Sequence, residues 1–197
     1  MKLRLVKPQR RHLPGFVAAL ERGWSPDNVR GPAAAREALD AITADPAKFL
    51  AVADDPTGAA GDVTLPTGAT VKRLPGLHRW LWDGEFCGVI GLRWAPRTAD
   101  LPPYVLGHVG YAVVPWKRRK GYATRALALI LPLARAQGLP YIELTTDTDN
   151  MPSGKVILNN GGRVIGRFKK PAAYGGGESL RYRIDLGADA FVPASDD

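Results

Sequence analysis

Cysteine and histidine are scarce in this chain: Cys87 is the single cysteine, and there are three histidines. One cysteine cannot form an internal disulfide, and no Cys/His cluster has the spacing of metal ligands. No apolar run approaches the roughly 18 residues of a membrane span, and the N-terminal segment lacks the continuous apolar core of a signal peptide. These absences exclude a disulfide scaffold and a zinc module, and they predict a cytoplasmic protein without a bound metal.

Acidic residues are outnumbered, because 19 Asp and Glu stand against 27 Lys and Arg, a formal net charge of +8. Such an excess favours anionic partners, whether nucleic acid, a membrane surface or a phosphorylated cofactor. The densest basic run is 117–120, directly before Gly121. We see neither the interleaved aromatic and basic residues of single-strand binders nor a helix-turn-helix pattern, so nucleic acid is not the expected partner.

The order of predicted elements is strand, helices, hairpin, strand, helix, strand, helix and two strands. This order predicts an α/β protein, of α+β type, with a central mixed sheet flanked by helices. We expect one domain over residues 1–187 and a short acidic tail at 188–197 that is disordered. Residues 54–68, rich in Gly, Pro, Asp and Thr, are predicted to be a long loop.

Residues 113–124 combine a strand end, a basic turn and a helix start. The first turn of a helix exposes unpaired N–H groups and the positive end of the helix dipole. Small residues at Gly121 and Ala123 let an anion approach that backbone closely, which predicts a pyrophosphate cradle. It is neither a P-loop nor a Rossmann fingerprint, because the Gly-Lys-Ser/Thr element, the second glycine and the following acidic residue are missing. Pro132, further along, predicts a kink or an early end of this helix.

Arg118-x-x-Gly121-x-Ala123 resembles the Gln/Arg-x-x-Gly-x-Gly/Ala motif of the GNAT N-acetyltransferase superfamily. Residues 149–162 are similar to the second motif of that family, and 181–184 to a predicted-acetyltransferase branch of it. The resemblance covers residues 74–186. It implies the GNAT fold and the transfer of an acetyl group from acetyl-CoA, or another short acyl-CoA, to a primary amine. The acceptor would be a small molecule or a protein, attacking directly in a ternary complex, and a homodimer is common in the family.

The resemblance also implies which residues hold the cofactor. The backbone of β-strand residues Tyr111, Ala112 and Val113 would pair with the pantetheine arm as an added strand does. The cradle for the pyrophosphate would be Arg118, Arg119, Lys120, Gly121, Tyr122, Ala123 and Thr124. Asn150, together with Ser153 at the start of the second helix, would lie near the thioester.

Two positions depart from the family pattern. Many members carry a tyrosine acid where this chain has Ile157, and some carry a glutamate base where it has Thr145. The remaining catalytic candidates are His108, Glu143 and Tyr182. Each has an ordinary structural alternative: a histidine hydrogen-bonded in the sheet, a salt-bridge partner of an arginine, and a packed aromatic ring.

Arg93 and Trp94 follow the predicted hairpin and are candidates for binding the acceptor. Arg93 would suit a carboxylate-bearing acceptor through a bidentate pair, with a surface ion pair as the alternative. Cys87 is interpreted as buried packing. Two other functions stay open: a non-catalytic acyl-CoA-binding module that kept the cradle, and nucleic-acid binding through the basic surface.

Overall fold

The computed structural model describes residues 2–187, so the predicted acidic tail lies outside the described part of the chain. Five α-helices in this part are α1 (Leu13–Glu21), α2 (Pro32–Ala44), α3 (Pro46–Ala51), α4 (Tyr122–Ala136) and α5 (Met151–Leu158). The strands are β1 (Arg4–Val6), β2 (Asp54–Asp55), β3 (Asp62–Thr64), β4 (Thr70–Lys72), β5 (Gly76–Trp82), β6 (Phe86–Arg93), β7 (Val109–Val113), β8 (Tyr141–Asp147), β9 (Arg163–Lys169) and β10 (Glu178–Asp185). Short 3-10 helices cover Arg10–His12, Pro115–Lys117 and Ala172–Tyr174.

The strands form two main sheets and a small hairpin. One sheet has the order β1-β5-β6-β7, with β2 also on β5; the second has the order β8-β10-β9; the hairpin is β3-β4. All the ladders between residues 2 and 187 are antiparallel. The predicted class of sheet flanked by helices is observed. The prediction of a mixed sheet was wrong for the described residues, because their ladders are antiparallel, and the sheet is divided between β7 and β8 instead of continuous.

Two clusters of buried side chains lie on opposite faces of β6, because successive strand residues point to opposite sides. Ile90 belongs to the cluster under α4 and α5, which also contains Leu127 and Ile157. Val89 packs against the other cluster, under α1 and α2. That second cluster is aromatic: Phe16 stacks on Trp80 with ring centroids 4.7 Å apart.

Two predictions about individual elements were wrong. The segment 54–68 is not a plain loop, since it contains β2 and β3, and β3 is held by β4 through Asp62–Lys72 pairing. Helix α4 does not end at Pro132 but continues to Ala136. Ile130 and Ala134, on either side of the proline, are fully buried, and this packing offsets the backbone hydrogen bond that proline removes. No helix within the described range is long and apolar enough to cross a membrane.

Candidate active site

Strands β7 and β8 meet at one end and diverge from there. The backbone N–H of His108, just before β7, donates to the carbonyl of Glu143 on β8 at 2.7 Å. No ladder joins the two strands along the rest of the described sheet, and β7 pairs with β6 on its other edge. The divergence opens a gap between the strands, closed at the His108 end.

The register between β6 and β7 shows which backbone groups face this gap. The N–H of Val114 donates to the carbonyl of Cys87 at 3.0 Å, and the N–H of Arg93 donates to the carbonyl of His108 at 2.9 Å. In an antiparallel ladder the backbone groups of successive residues point alternately to the two sides. The even-numbered residues of this strand therefore face β6.

Tyr111 and Val113 direct their N–H and C=O groups into the gap, where an extended ligand could pair with them. Ala112, by contrast, directs its backbone groups to Val89 on β6. The prediction that Ala112 pairs with a ligand as an added strand does is therefore wrong, because the ladder with β6 already uses that edge.

The gap leads to the N-terminus of α4. Gly121, before the first helical residue, has φ of +72° and is exposed, and no heavy atom lies within 4 Å of the position that a Cβ would take. No side chain of the described residues caps this helix. The N–H groups of Tyr122, Ala123 and Thr124, in the first turn, have no carbonyl within the helix to bind. This is an open, positively polarised backbone surface suited to an anion.

The basic turn before α4 divides into anchoring and exposed side chains. Lys117 forms ion pairs with Asp83 at 3.0 Å and with Glu85 at 3.1 Å. Nε of Arg118 donates to the carbonyl of Val113 at 3.1 Å. Arg119, with φ of +62°, and Lys120 are exposed. Arg118 is exposed as well, so three of the four positive charges lie at the surface before Gly121.

Asp83, in the turn between β5 and β6, holds this region in place. The Tyr122 hydroxyl donates to its carboxylate at 2.6 Å, and Lys117 donates to the same group. Burial raises the pKa of Asp83, but the hydrogen bonds from Tyr122 and Lys117 outweigh it and hold the pKa well below its usual range. Asp83 lies in the turn of the predicted hairpin, and a local sequence pattern contains no signal for this anchoring role.

The start of α5 closes the other side of the gap. Asn150 is the N-cap, and its Oδ1 accepts the N–H of Ser153 at 3.2 Å. The Tyr111 hydroxyl donates to the carbonyl of Ser153 at 3.4 Å, and burial raises the pKa of that phenol. These bonds place both predicted residues of α5 beside β7.

Tyr182 reaches the same place from β10. Its hydroxyl lies 3.0 Å from the position that a Cβ at Gly154 would take, so the absence of a side chain on α5 makes room for it. The ring is buried in the core, and the hydroxyl makes no hydrogen bond within residues 2–187. Ile157, at the position where the family pattern has a tyrosine, is fully buried in the core instead.

His108 is bound through both ring nitrogens. Nδ1 accepts the backbone N–H of Glu143 at 2.9 Å, and Nε2 lies 3.1 Å from the carbonyl of Ala99, to which it donates. Burial lowers the pKa of the imidazole, and Arg93 lowers it further, against the opposing effect of Glu143. Because neither nitrogen is free to take a proton, these bonds argue against the prediction that His108 is a base.

Glu143 lies on the face of β8 that looks away from α4 and α5. Its carboxylate pairs with Arg183 at 2.6 Å and with Arg181 at 3.4 Å, and 14% of its side chain is exposed. Thr145 shares that face of β8 and is the cross-strand partner of Arg181. Together with the loop at 100–105 and part of β9, Glu143 and the two arginines line a cavity of about 570 Å³.

The two predicted acceptor-binding residues have different surroundings. Trp94 is buried in the main core, so the interpretation of Trp94 as an acceptor contact is not favoured. Arg93 is exposed, and its Nη2 lies 3.2 Å from the position that a Cβ at Gly110 would take on β7. Cys87 is buried, and burial, with Asp83 beside it, raises the pKa of its thiol to about 12, which agrees with a packing role.

A family model, the acetyltransferase (GNAT) domain, matches residues 2–163. The chain belongs to the GNAT acetyltransferase family. The predictions of family, fold class and enzyme class are confirmed. The match begins at residue 2 and so includes the N-terminal third, which lies outside the resemblance seen in the sequence at 74–186.

Solved GNAT structures share the fold. RimL, a ribosomal L7/L12 alpha-N-protein acetyltransferase solved with coenzyme A, is 12% identical over 94% of both chains, with a TM-score of 0.61. A chimera of the spermidine N-acetyltransferase SpeG from Vibrio cholerae and hSSAT is 13% identical over 94% of this chain and 96% of the other, with a TM-score of 0.58. The microcin C7 self-immunity acetyltransferase MccE, solved with acetyl-CoA and AMP, is 10% identical over 93% and 92%, with a TM-score of 0.54. A search of curated protein sequences gave no match.

Proposed function

We propose that this protein is an acetyl-CoA-dependent N-acetyltransferase that acetylates a primary amine by direct attack in a ternary complex. One observation carries the proposal: the free edge of β7 in the gap leads directly to the uncapped first turn of α4 at Gly121. Pantetheine has two amides that need backbone partners, and a pyrophosphate needs N–H donors. The coenzyme A and acetyl-CoA in the RimL and MccE structures support this choice of ligand.

The residues present fit this cofactor. Tyr111 and Val113 would pair with the pantetheine amides. The Val113 carbonyl can accept a second hydrogen bond beside that of Arg118, because a carbonyl has two lone pairs. The pyrophosphate would be held by the backbone from Arg119 to Thr124 and by the exposed Arg119 and Lys120. When bound, acetyl-CoA supplies the activated acetyl thioester, and Asn150 and Ser153 would lie next to it.

The side chains around the gap supply the proton transfers. Positioning of the amine is the main contribution. Glu143 lines the cavity on the acceptor side and is proposed to take the ammonium proton through water. The Tyr182 hydroxyl, at the start of α5, is proposed to give its proton to the departing thiolate. Glu143 stays positioned because Arg183 binds its Oε1.

The cofactor site is tested by thermal shift and calorimetry with acetyl-CoA, CoA and ADP. A ligand that binds the folded state alone raises the melting temperature. Gly121→Trp places a large side chain in the cradle, and we expect at least a roughly tenfold weaker affinity for all three ligands. Gly68→Trp is the matched control, since Gly68 also has positive φ and open surroundings, outside the site. A folded protein that does not respond to millimolar acetyl-CoA contradicts the proposal.

A non-catalytic acyl-CoA-binding module is the second candidate, and one observation favours it. Ile157 and Thr145 occupy the positions of the family's usual acid and base, and Ile157 is fully buried. Such a module would bind acetyl-CoA and lose the response in Gly121→Trp, but it would release no thiol with any amine. Cys87 is buried and protonated, so it should add little background to a thiol assay.

A further inference from the structure

A polar row crosses the sheet on the face covered by α1 and α2. His78 on β5 pairs with Gly91 on β6, and Gly91 pairs with Gly110 on β7. Because neither glycine has a side chain, the His78 ring lies 3.2 Å from the Cβ position of Gly91, and Nη2 of Arg93 lies 3.2 Å from that of Gly110. Trp80, two residues along β5 and therefore on the same face, belongs to the aromatic cluster under α1 and α2.

The side chains of His78 and Arg93 lie over these two glycines, and we call the surface that they border the cleft. Both side chains are exposed, so a ligand in solution can reach them. The cleft adjoins the gap, since Gly110 directly precedes Tyr111, whose backbone groups face the gap.

The Arg93 guanidinium has no hydrogen bond or ion pair within residues 2–187. Asp27, in the connection between α1 and α2, raises the pKa of Arg93, but its Oδ1 accepts the N–H groups of Val29 and Arg30 at 2.8 and 2.9 Å. The donors of this exposed guanidinium are therefore open to a ligand. An anionic group in the cleft would accept hydrogen bonds from them.

Positive charge also predominates on the far side of His108. The cavity beside Glu143 is lined by two acidic residues, Glu143 and Asp100, and by three arginines, Arg167, Arg181 and Arg183. Asp100 already accepts the hydroxyl of Tyr141 at 2.6 Å. The N–H of Arg93 donates to the carbonyl of His108, and the N–H of Glu143 donates to its Nδ1, so the two residues flank the closed end of the gap. A polycationic acceptor would need a cavity in which acidic residues outnumber arginines.

We propose that the acceptor is a primary amine that also carries a carboxylate or another anionic group, and that Arg93 binds this group. The inference rests on the acetyltransferase function proposed above. The planar guanidinium binds a carboxylate through two parallel hydrogen bonds, which fixes the orientation of the ligand as well as its position. An anion held over Gly110 keeps the attached amine at the mouth of the gap, within reach of Glu143.

The test uses pairs of amines that differ in the anionic group alone. Free amino acids are compared with their amides, and peptides that begin with aspartate with those that begin with asparagine; spermidine is the cationic comparison. Release of CoA thiol from saturating acetyl-CoA gives kcat and KM for each acceptor. We expect a preference for the anionic member of about 10- to 100-fold in kcat/KM. Which pair shows it distinguishes a small aminocarboxylate from an acidic N-terminus.

Arg93→Leu should remove this preference by raising the KM for the anionic acceptor, while the KM for acetyl-CoA stays unchanged. Arg93→Lys should retain part of it, because the charge remains and the two-bond geometry is lost. Arg10→Leu, an exposed arginine of the first 3-10 helix, is the matched control and should behave as the wild type. The acetyl-CoA thermal shift of each variant shows that it is folded.

Two results overturn the inference while the acetyltransferase proposal stands. They are equal or better use of the neutral or cationic amines, and a preference that survives in Arg93→Leu. Binding of acetyl-CoA with no acetylation of any acceptor in the panel overturns the inference and favours the non-catalytic module. Failure of the acetyl-CoA thermal shift in the wild type contradicts the proposed function instead. The two failures are therefore distinguishable.

Discussion

Tyr182 is proposed to supply the acid that the second helix of this chain does not provide. In this chain the core position Ile157 replaces a tyrosine that many family members carry on the second helix. A phenol reaches the same helix from β10, over Gly154, which has no side chain to exclude it. The hydroxyl is free of hydrogen bonds within residues 2–187, so it is available to a ligand in the gap.

We expect Tyr182→Phe to lower kcat for thiol release by about 10- to 100-fold. This is at or below the lower limit of the usual range for general acid catalysis, because a thiolate leaves readily. The KM for acetyl-CoA should stay within about twofold, since the ring still fills its place in the core. Thr57→Val is the control, because it also removes a hydroxyl, one that donates to the carboxylate of Asp55 outside the site. An unchanged kcat in Tyr182→Phe would exclude the hydroxyl as the acid.

At the scale of elements, the turn between β5 and β6 holds the start of α4. Asp83 binds Lys117 and Tyr122 at the same time, and these two residues bracket the cradle. Arg118 adds a bond from the basic turn to β7. The N-terminus of α4 is thereby preorganised, which lowers the entropic cost of binding an anion.

Asp83→Asn should therefore destabilise the protein by about 1–3 kcal/mol at neutral pH, because Lys117 loses a charged partner. The folded-state pKa of Asp83 lies below its unfolded value of about 3.9. Its contribution is present above that value and is lost as the pH falls through the folded pKa. Urea denaturation at pH 7 and at successively lower pH should show that the difference in unfolding free energy between wild type and variant decreases below about pH 4. A difference that does not change with pH would refute the ionic contribution.

For the whole molecule, the important feature is the junction between the two sheets. At His108 the backbone N–H and the imidazole both bind Glu143, and Nε2 binds the loop at Ala99. This contact closes one end of the gap and leaves the other open. His108 thus determines where the two sheets separate.

His108→Gln should flatten the dependence of stability on pH. Burial lowers the pKa of His108 in the folded protein, whereas the unfolded value is about 6.5. Below about pH 6.5, His108 takes up a proton in the unfolded chain but not in the folded chain. The free energy of unfolding of the wild type therefore falls as the pH drops. His12 and His78 titrate in both proteins, so the difference in slope between pH 5 and 7.5 isolates His108. Parallel stability curves would contradict this role.

The sequence by itself determined the features that depend on neighbours along the chain. The basic turn, Gly121 and the start of α4 lie within a few residues, and the order of elements follows from local periodicity. These were sufficient to predict the family and the fold class, and both are confirmed. The same local signals could not show that the sheet is divided between β7 and β8, because hydrogen-bond pairing between strands is not local.

The tertiary structure alone decided which side chains meet. Lys117 and Asp83 are 34 residues apart, and Tyr111 and Ser153 are 42 apart, so no local pattern connects them. The resemblance to the family and the chemistry of imidazole made His108 a catalytic candidate. The sequence could not show that backbone groups from two other segments occupy both of its nitrogens. Side-chain chemistry at this site depends on desolvation and on hydrogen-bond partners, and both arise when distant segments pack together.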